Sequence, residues 1–144
     1  MRIDLASDHG GLNLRALVAE HLESLGHVVR DLGPHDASST DYPDHAHKLC
    51  RGLLDGECDR GILVCGTGQG MAMSANKHAG VRAAVVSDVF SARMASLHNN
   101  ANVLCLGERV VGPGLALDLV DAWLSGDFEG GRHARRVAKI DLSA

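Results

Sequence analysis

The sequence predicts an α/β fold: a three-layer, open sheet of about five parallel strands with helices on both faces. Three observations lead there. Short, nearly continuous apolar runs recur along the chain, as in Gly61-Ile-Leu-Val-Cys65, and strands without a polar face are those covered on both sides of a parallel sheet. Between these runs, apolar residues recur at three- and four-residue spacing, the helical period. Glycine-rich turns follow the apolar runs, at the carboxyl ends of strands, where open α/β sheets bind their ligands.

Arg2–Ser7 is the first strand candidate. Leu14, Leu17, Val18, Leu22 and Leu25 then mark the apolar face of a helix that Gly26 stops. His27–Asp31 is the second strand, and a helix is predicted over Pro43–Leu54, where proline suits the first turn. Gly61–Cys65 is the third strand and Gly70–His78 the next helix. Val81–Ser87, a helix over Asp88–His98, a strand at Asn102–Leu106 and a helix over Gly114–Leu124 continue the alternation. A last helix is predicted from about Arg132 to Ile140, within the reach of basic residues at Arg132 to Arg136. No repeat or low-complexity linker interrupts the series, so residues 1–144 are expected to form one domain.

Composition narrows the function. Apolar residues make up 45% of the chain, enough for a real core. Aromatics at 3% leave little for stacking on single-stranded nucleic acid, and a net charge of −4 gives a phosphate backbone no overall attraction. No apolar stretch approaches the ~20 residues of a membrane helix, and the N-terminus lacks the apolar core of a signal peptide. A cytoplasmic protein without nucleic-acid or membrane partners is expected. The four cysteines show no CxxC spacing, and the nine histidines no HExxH, so neither a metal nor a redox cofactor is indicated.

Cys65 is the most informative residue. A thiol ending a buried strand is ordinarily core; here Gly66-Thr67-Gly68-Gln69-Gly70 follows at once. Such a loop can turn its amides toward an anion, and loop amides with a helix start favour a thiolate base. A dinucleotide fingerprint is the alternative, with Asp88 roughly 20 residues on as the ribose acid. Its third glycine would fall at 71, which is Met71. Asp8-His9-Gly10-Gly11 follows the first strand: Asp8 suits a helix cap or a ligand contact, and His9 suits a ligand contact. His98-Asn99-Asn100 closes a helix, either as a plain stop or as an acid titrating near neutrality. Arg132 and Arg136 share a helix face, solvated or serving as a phosphate clamp. Tyr42, the only tyrosine, starts a helix or lines the pocket. These groups are expected to converge at the carboxyl ends of the strands.

Taken as a set, these motifs resemble the B-type ribose-5-phosphate isomerases, grouped with the galactose-6-phosphate isomerase subunits. The resemblance rests on Asp8-His9-Gly10-Gly11, Thr40-Asp41-Tyr42-Pro43, Cys65 to Gly70, Ala75-Asn76-Lys77, His98-Asn99, Asn102-Val103-Leu104, Gly107 to Gly112 and Phe128-Glu129-Gly130-Gly131-Arg132-His133. It implies a Rossmann-like fold and a metal-independent interconversion of aldose and ketose phosphates through an enediolate. By resemblance, Cys65 is the base, Thr67 assists it, and Gly66, Gly68, Gln69 and Gly70 hold the oxyanion. His98 opens the sugar ring with Asp8 on the hydroxyls, and Asn99 contacts the sugar. His9, Arg132 and Arg136 bind phosphate, and Arg109 adds a charge from a neighbouring subunit. The resemblance also implies a homodimer or tetramer with shared sites. One branch of the family uses a glutamate six positions after this cysteine; Met71 stands there, which places the chain with the cysteine branch. Ribose 5-phosphate is the expected substrate, with allose, galactose or tetrose phosphates as alternatives, and a non-catalytic nucleotide- or sugar-phosphate-binding domain as the competing class.

Overall fold

In the computed structural model of the protein, which describes residues 1–142, five strands form one parallel sheet. They are β1 (Arg2–Ser7), β2 (Val28–Asp31), β3 (Arg60–Cys65), β4 (Ala83–Val85) and β5 (Val103–Gly107), in the order β2-β1-β3-β5-β4. The helices are α1 (Leu12–Ser24), α2 (Tyr42–Leu54), α3 (Gln69–Ala75), α4 (Val89–Leu97), α5 (Pro113–Leu124) and α6 (Arg132–Val137), with a 3-10 turn at His9–Gly11. The fold class is the one the apolar runs predict.

Strand side chains alternate between two cores. Ile3, Leu5, Ile62, Val64, Leu104 and Leu106 meet α1, α4 and α5 through Val18, Leu22, Ala92, Leu119 and Trp123. Ala6, Leu63, Cys65, Val103 and Cys105 meet α2 and α3 through Leu49, Cys50, Met71 and Ala75. The chain path explains the division. Helices α1 and α4 carry the chain one way across the sheet and α2 and α3 carry it the other way. Crossovers of one hand must put opposite moves on opposite faces.

Several elements are shorter than their patterns predict, including α3, which ends at Ala75 rather than His78. β4 covers three residues instead of Val81–Ser87 because it is an edge strand paired only with β5. On its open side the Asn76 side chain takes over: its amide donates to the Ala83 carbonyl (2.9 Å) and accepts the Ala83 N–H (2.8 Å). That contact blunts an edge that another strand could otherwise extend. α6 ends at Val137, three residues early, and the chain continues in single turns through Ile140.

β1 and β3 are neighbours, yet the chain leaves them in opposite directions, which makes the gap between their carboxyl ends the topological switch point. Asp8 follows β1 there, and Cys65 ends β3. Buried Arg15 braces the rim by donating to Ser7 Oγ and to the Pro34 carbonyl, both at 2.6 Å.

Candidate active site

Cys65 points into the α2/α3 core face with 5% of its surface exposed. The following turn is possible only because Gly68 takes φ +80°, and a Cβ there would also meet the Leu106 backbone at 3.1 Å. This turn brings the Gly68 N–H back onto Cys65 Sγ at 3.1 Å. Thr67 Oγ1 accepts the Gln69 N–H at 3.3 Å, just where α3 starts. Tyr42 lies across the loop: a Cβ on Gly70 would come within 2.6 Å of its ring. The remaining thiols are inert by burial, which pushes Cys50 up to about 11, Cys58 up to about 12 and Cys105 well above the ordinary range.

The turn after β1 packs onto this loop, with a Cβ on Gly10 falling 3.3 Å from Gly66 N. Asp8 uses Oδ1 to accept the Gly10 N–H at 2.8 Å, so it does cap the 3-10 turn. Asp8, His9, Thr40 and Tyr42 line an open hollow of about 490 Å³. The Thr40 N–H donates to His9 Nδ1 at 3.3 Å, which assigns the His9 proton to Nε2 and leaves that N–H for a ligand. Thr40 Oγ1 meets His45 Nε2 at 3.0 Å, and burial holds His45 below the ordinary imidazole value.

The Arg109 guanidinium lies against Gly66 of its own chain. A Cβ on Gly66 would be 3.4 Å from its Nη1, and the Arg109 N–H donates to the Gly66 carbonyl at 3.0 Å. Conversely, His98, Asn99 and Asn100 do not join Cys65 at the carboxyl edge. Helix α4 links two parallel strands, so it runs back against them and ends at the amino edge. Contacts there confirm this: Arg60, the first residue of β3, reaches Ser96 Oγ at 3.4 Å, and Arg82, just before β4, donates to the Asn100 carbonyl at 2.8 Å. Arg60 and Cys65 stand about 16 Å apart along β3.

α6 sits at the amino edge as well, where Asp141 accepts the Gly80 N–H at 3.1 Å. His98, Asn99, His133 and Arg136 line a hollow of about 300 Å³. Among the described residues, neither Arg132 nor Arg136 pairs with a carboxylate, so both guanidiniums are free for an anion. Asn100 takes φ 48°, the left-handed stop that asparagine tolerates. Asp88 caps α4 through the Ser91 N–H at 2.7 Å, so the acid that the dinucleotide alternative required is already engaged.

The histidines are less scattered than the sequence suggests. His133 stacks on His98, and Glu129 reaches both rings, with ligand atoms of the three within 4.8 Å. Neither Glu129 nor His133 was singled out for chemistry. Their spacing of four along the chain was visible, but His98 lies a whole strand and helix away in sequence.

A model of the ribose/galactose isomerase family matches residues 3–140. Ribose-5-phosphate isomerase B of Escherichia coli (strain K12) is 45% identical over 139 residues, covering 96% of this chain and 93% of that protein. D-erythrulose-4-phosphate isomerase of Pectobacterium atrosepticum is 42% identical over 142 residues, covering 97% of this chain and 93% of that one. The solved structure of Clostridium thermocellum ribose-5-phosphate isomerase B superposes with a TM-score of 0.96 at 54% identity, covering 97% of this chain and 95% of that one. Agreement in sequence and in fold along nearly the whole length shows that the chain belongs to the ribose/galactose isomerase family and is a sugar-phosphate isomerase.

Proposed function

We propose that the enzyme interconverts ribose 5-phosphate and ribulose 5-phosphate through an enediolate, with Cys65 as the base. The observation that carries this reading is the thiol at the switch point, folded under a glycine loop that donates an N–H to its sulfur. Cys65 moves the proton between C2 and C1 with Thr67 beside it. The amides of Gly66, Gly68, Gln69 and Gly70 hold the oxyanion as charge develops. Asp8, Tyr42 and Asn99 contact the sugar, His98 protonates the ring oxygen, and His9, Arg132 and Arg136 hold the phosphate in register. The names of the E. coli and Clostridium relatives support the pentose substrate.

The two groups of site residues stand on opposite edges of the sheet, and a pentose phosphate is too short to span them. A second copy of the chain therefore completes the site: Cys65, Asp8, His9, Tyr42 and Arg109 belong to one protomer, and His98, Asn99, Arg132 and Arg136 to the other. Exposed Phe90 and Val110 offer apolar surface for that contact. Light scattering should then return two or four times the chain mass of 15.2 kDa; a monomer that turns over substrate would refute the shared site.

The substrate test compares kcat/KM for ribose 5-phosphate, allose 6-phosphate, galactose 6-phosphate and erythrose 4-phosphate, following ketose formation. Ribose 5-phosphate should lead. A clear lead for erythrose 4-phosphate would favour the second reading, which the Pectobacterium relative motivates. Arg136→Ala should raise KM about tenfold or more with a smaller change in kcat, because phosphate contacts are largely shared by ground and transition states. Unchanged constants would remove Arg136 from the site.

A further inference from the structure

We propose that Glu129 and His133 are positioning residues for His98, a carboxylate and a second imidazole that together keep one proton, and only one, on the stacked pair. The proposal rests on the reading of His98 as the ring-opening acid. The two imidazoles stack with centroids 4.1 Å apart and planes 8° from parallel. Glu129 Oε2 stands 3.4 Å from His133 Nε2 and 3.7 Å from His98 Nε2. The Glu129 backbone is tied to the same place, its N–H donating to the carbonyl of Leu97 at 3.0 Å, one residue before His98.

Charge decides which ring holds the proton. Two imidazolium rings face to face at this distance repel, and one carboxylate offsets one of them. His133 is the ring kept neutral: burial lowers it first, and the charges of His98, Arg132 and Arg136 lower it further, against the pull of Glu129. His98 is the more exposed ring and opens onto the hollow with Asn99 and Arg136. At 3.7 Å the carboxylate attracts the His98 Nε2–H without closing a hydrogen bond on it, so the proton stays available to a substrate. A metal ion is a poorer occupant, because near-parallel rings aim their lone pairs side by side where a tetrahedral ion needs them convergent.

The step this arrangement serves is balanced. The C1–O4 bond of the furanose breaks and its electron pair goes to O4, which takes the proton from His98. The C1 hydroxyl loses its proton to the Asp8 carboxylate, and the aldehyde forms. Glu129, half exposed, lies 3.7 Å from the ring that must be reprotonated.

Glu129→Gln tests this with three readouts on the intact protein. Imidazole NMR titration of the unliganded wild type should show His133 taking its proton below the ordinary imidazole range, in a step separate from that of the ring stacked on it. Removing the charge of Glu129, which pulls the His133 value up, should move the His133 step further down. In turnover of ribose 5-phosphate, the alkaline limb of kcat should move the same way, lowering the rate above neutrality about tenfold. Solvent exchange of the C1 protons of ribulose 5-phosphate, which is acyclic and needs no ring opening, should stay within about twofold. Equal losses in turnover and exchange would make Glu129 merely structural, and unchanged profiles would remove it; either outcome overturns the proposal, as would both rings titrating together. A wild type inert toward ribose 5-phosphate would refute the substrate reading alone, since the NMR titration judges the proton pair without any substrate.

Discussion

Cys65→Ala is expected to lower isomerisation by about a thousandfold or more while the protein stays folded. Cys65 ends β3 at the switch point under a loop that donates an N–H to its sulfur, whereas the other cysteines are buried thiols held protonated by their surroundings. What remains is oxyanion binding and substrate positioning, which alone do not remove a proton. The structural cost is small: one atom leaves a site that is already 5% exposed, and the Gly68 N–H loses a weak sulfur acceptor. Steady-state rates with ribose 5-phosphate, set beside thermal melts and phosphate binding, separate the two effects. A variant that isomerises at the wild-type rate excludes Cys65 as base.

The largest effect on stability is expected from Trp123→Ala, about 3–5 kcal/mol, against a total stability of about 5–15 kcal/mol for an ordinary domain. Trp123 is fully buried between α5 and the sheet. Its indole N–H donates to the Ala101 carbonyl at 3.1 Å, and the Arg60 guanidinium lies 4.9 Å from the ring centroid while donating to the Trp123 carbonyl at 3.0 Å. Truncation leaves a cavity and an unpaired buried carbonyl at once. Ala101 follows the His98-Asn99-Asn100 stop, so phosphate affinity should weaken together with the urea midpoint. Trp123→Phe should lose less, keeping most of the volume but not the hydrogen bond. A midpoint unmoved by Trp123→Ala would show that this corner does not hold α5 to the sheet.

β1, β3 and β5 were legible because burial on both faces leaves an apolar run that local sequence cannot hide. Strand ends were less so. β4 reads as seven residues from composition, yet an edge strand is only as long as its partner and the side chain of Asn76 allow. Cys65 with its glycines was readable in the same way, because the nucleophile, the turn and the helix start are contiguous. Asp8 and His9 were readable for that reason too.

The amino acid sequence by itself determined the fold class, the thiol loop and the family, since each is written in contiguous residues or in motifs of fixed order. Tertiary structure alone decided where those motifs stand relative to one another. The direction of α4 follows from crossover geometry, and it sends His98 and Asn99 to the sheet edge opposite Cys65, where α6 also docks. Arg109 turned out to lie on its own chain's loop, and Glu129 and His133 turned out to flank His98. Order along the chain carries no record of which edge a helix returns to. That is set by packing over the sheet, and it divides one apparent site into two halves that a second copy of the chain brings together in the function proposed above.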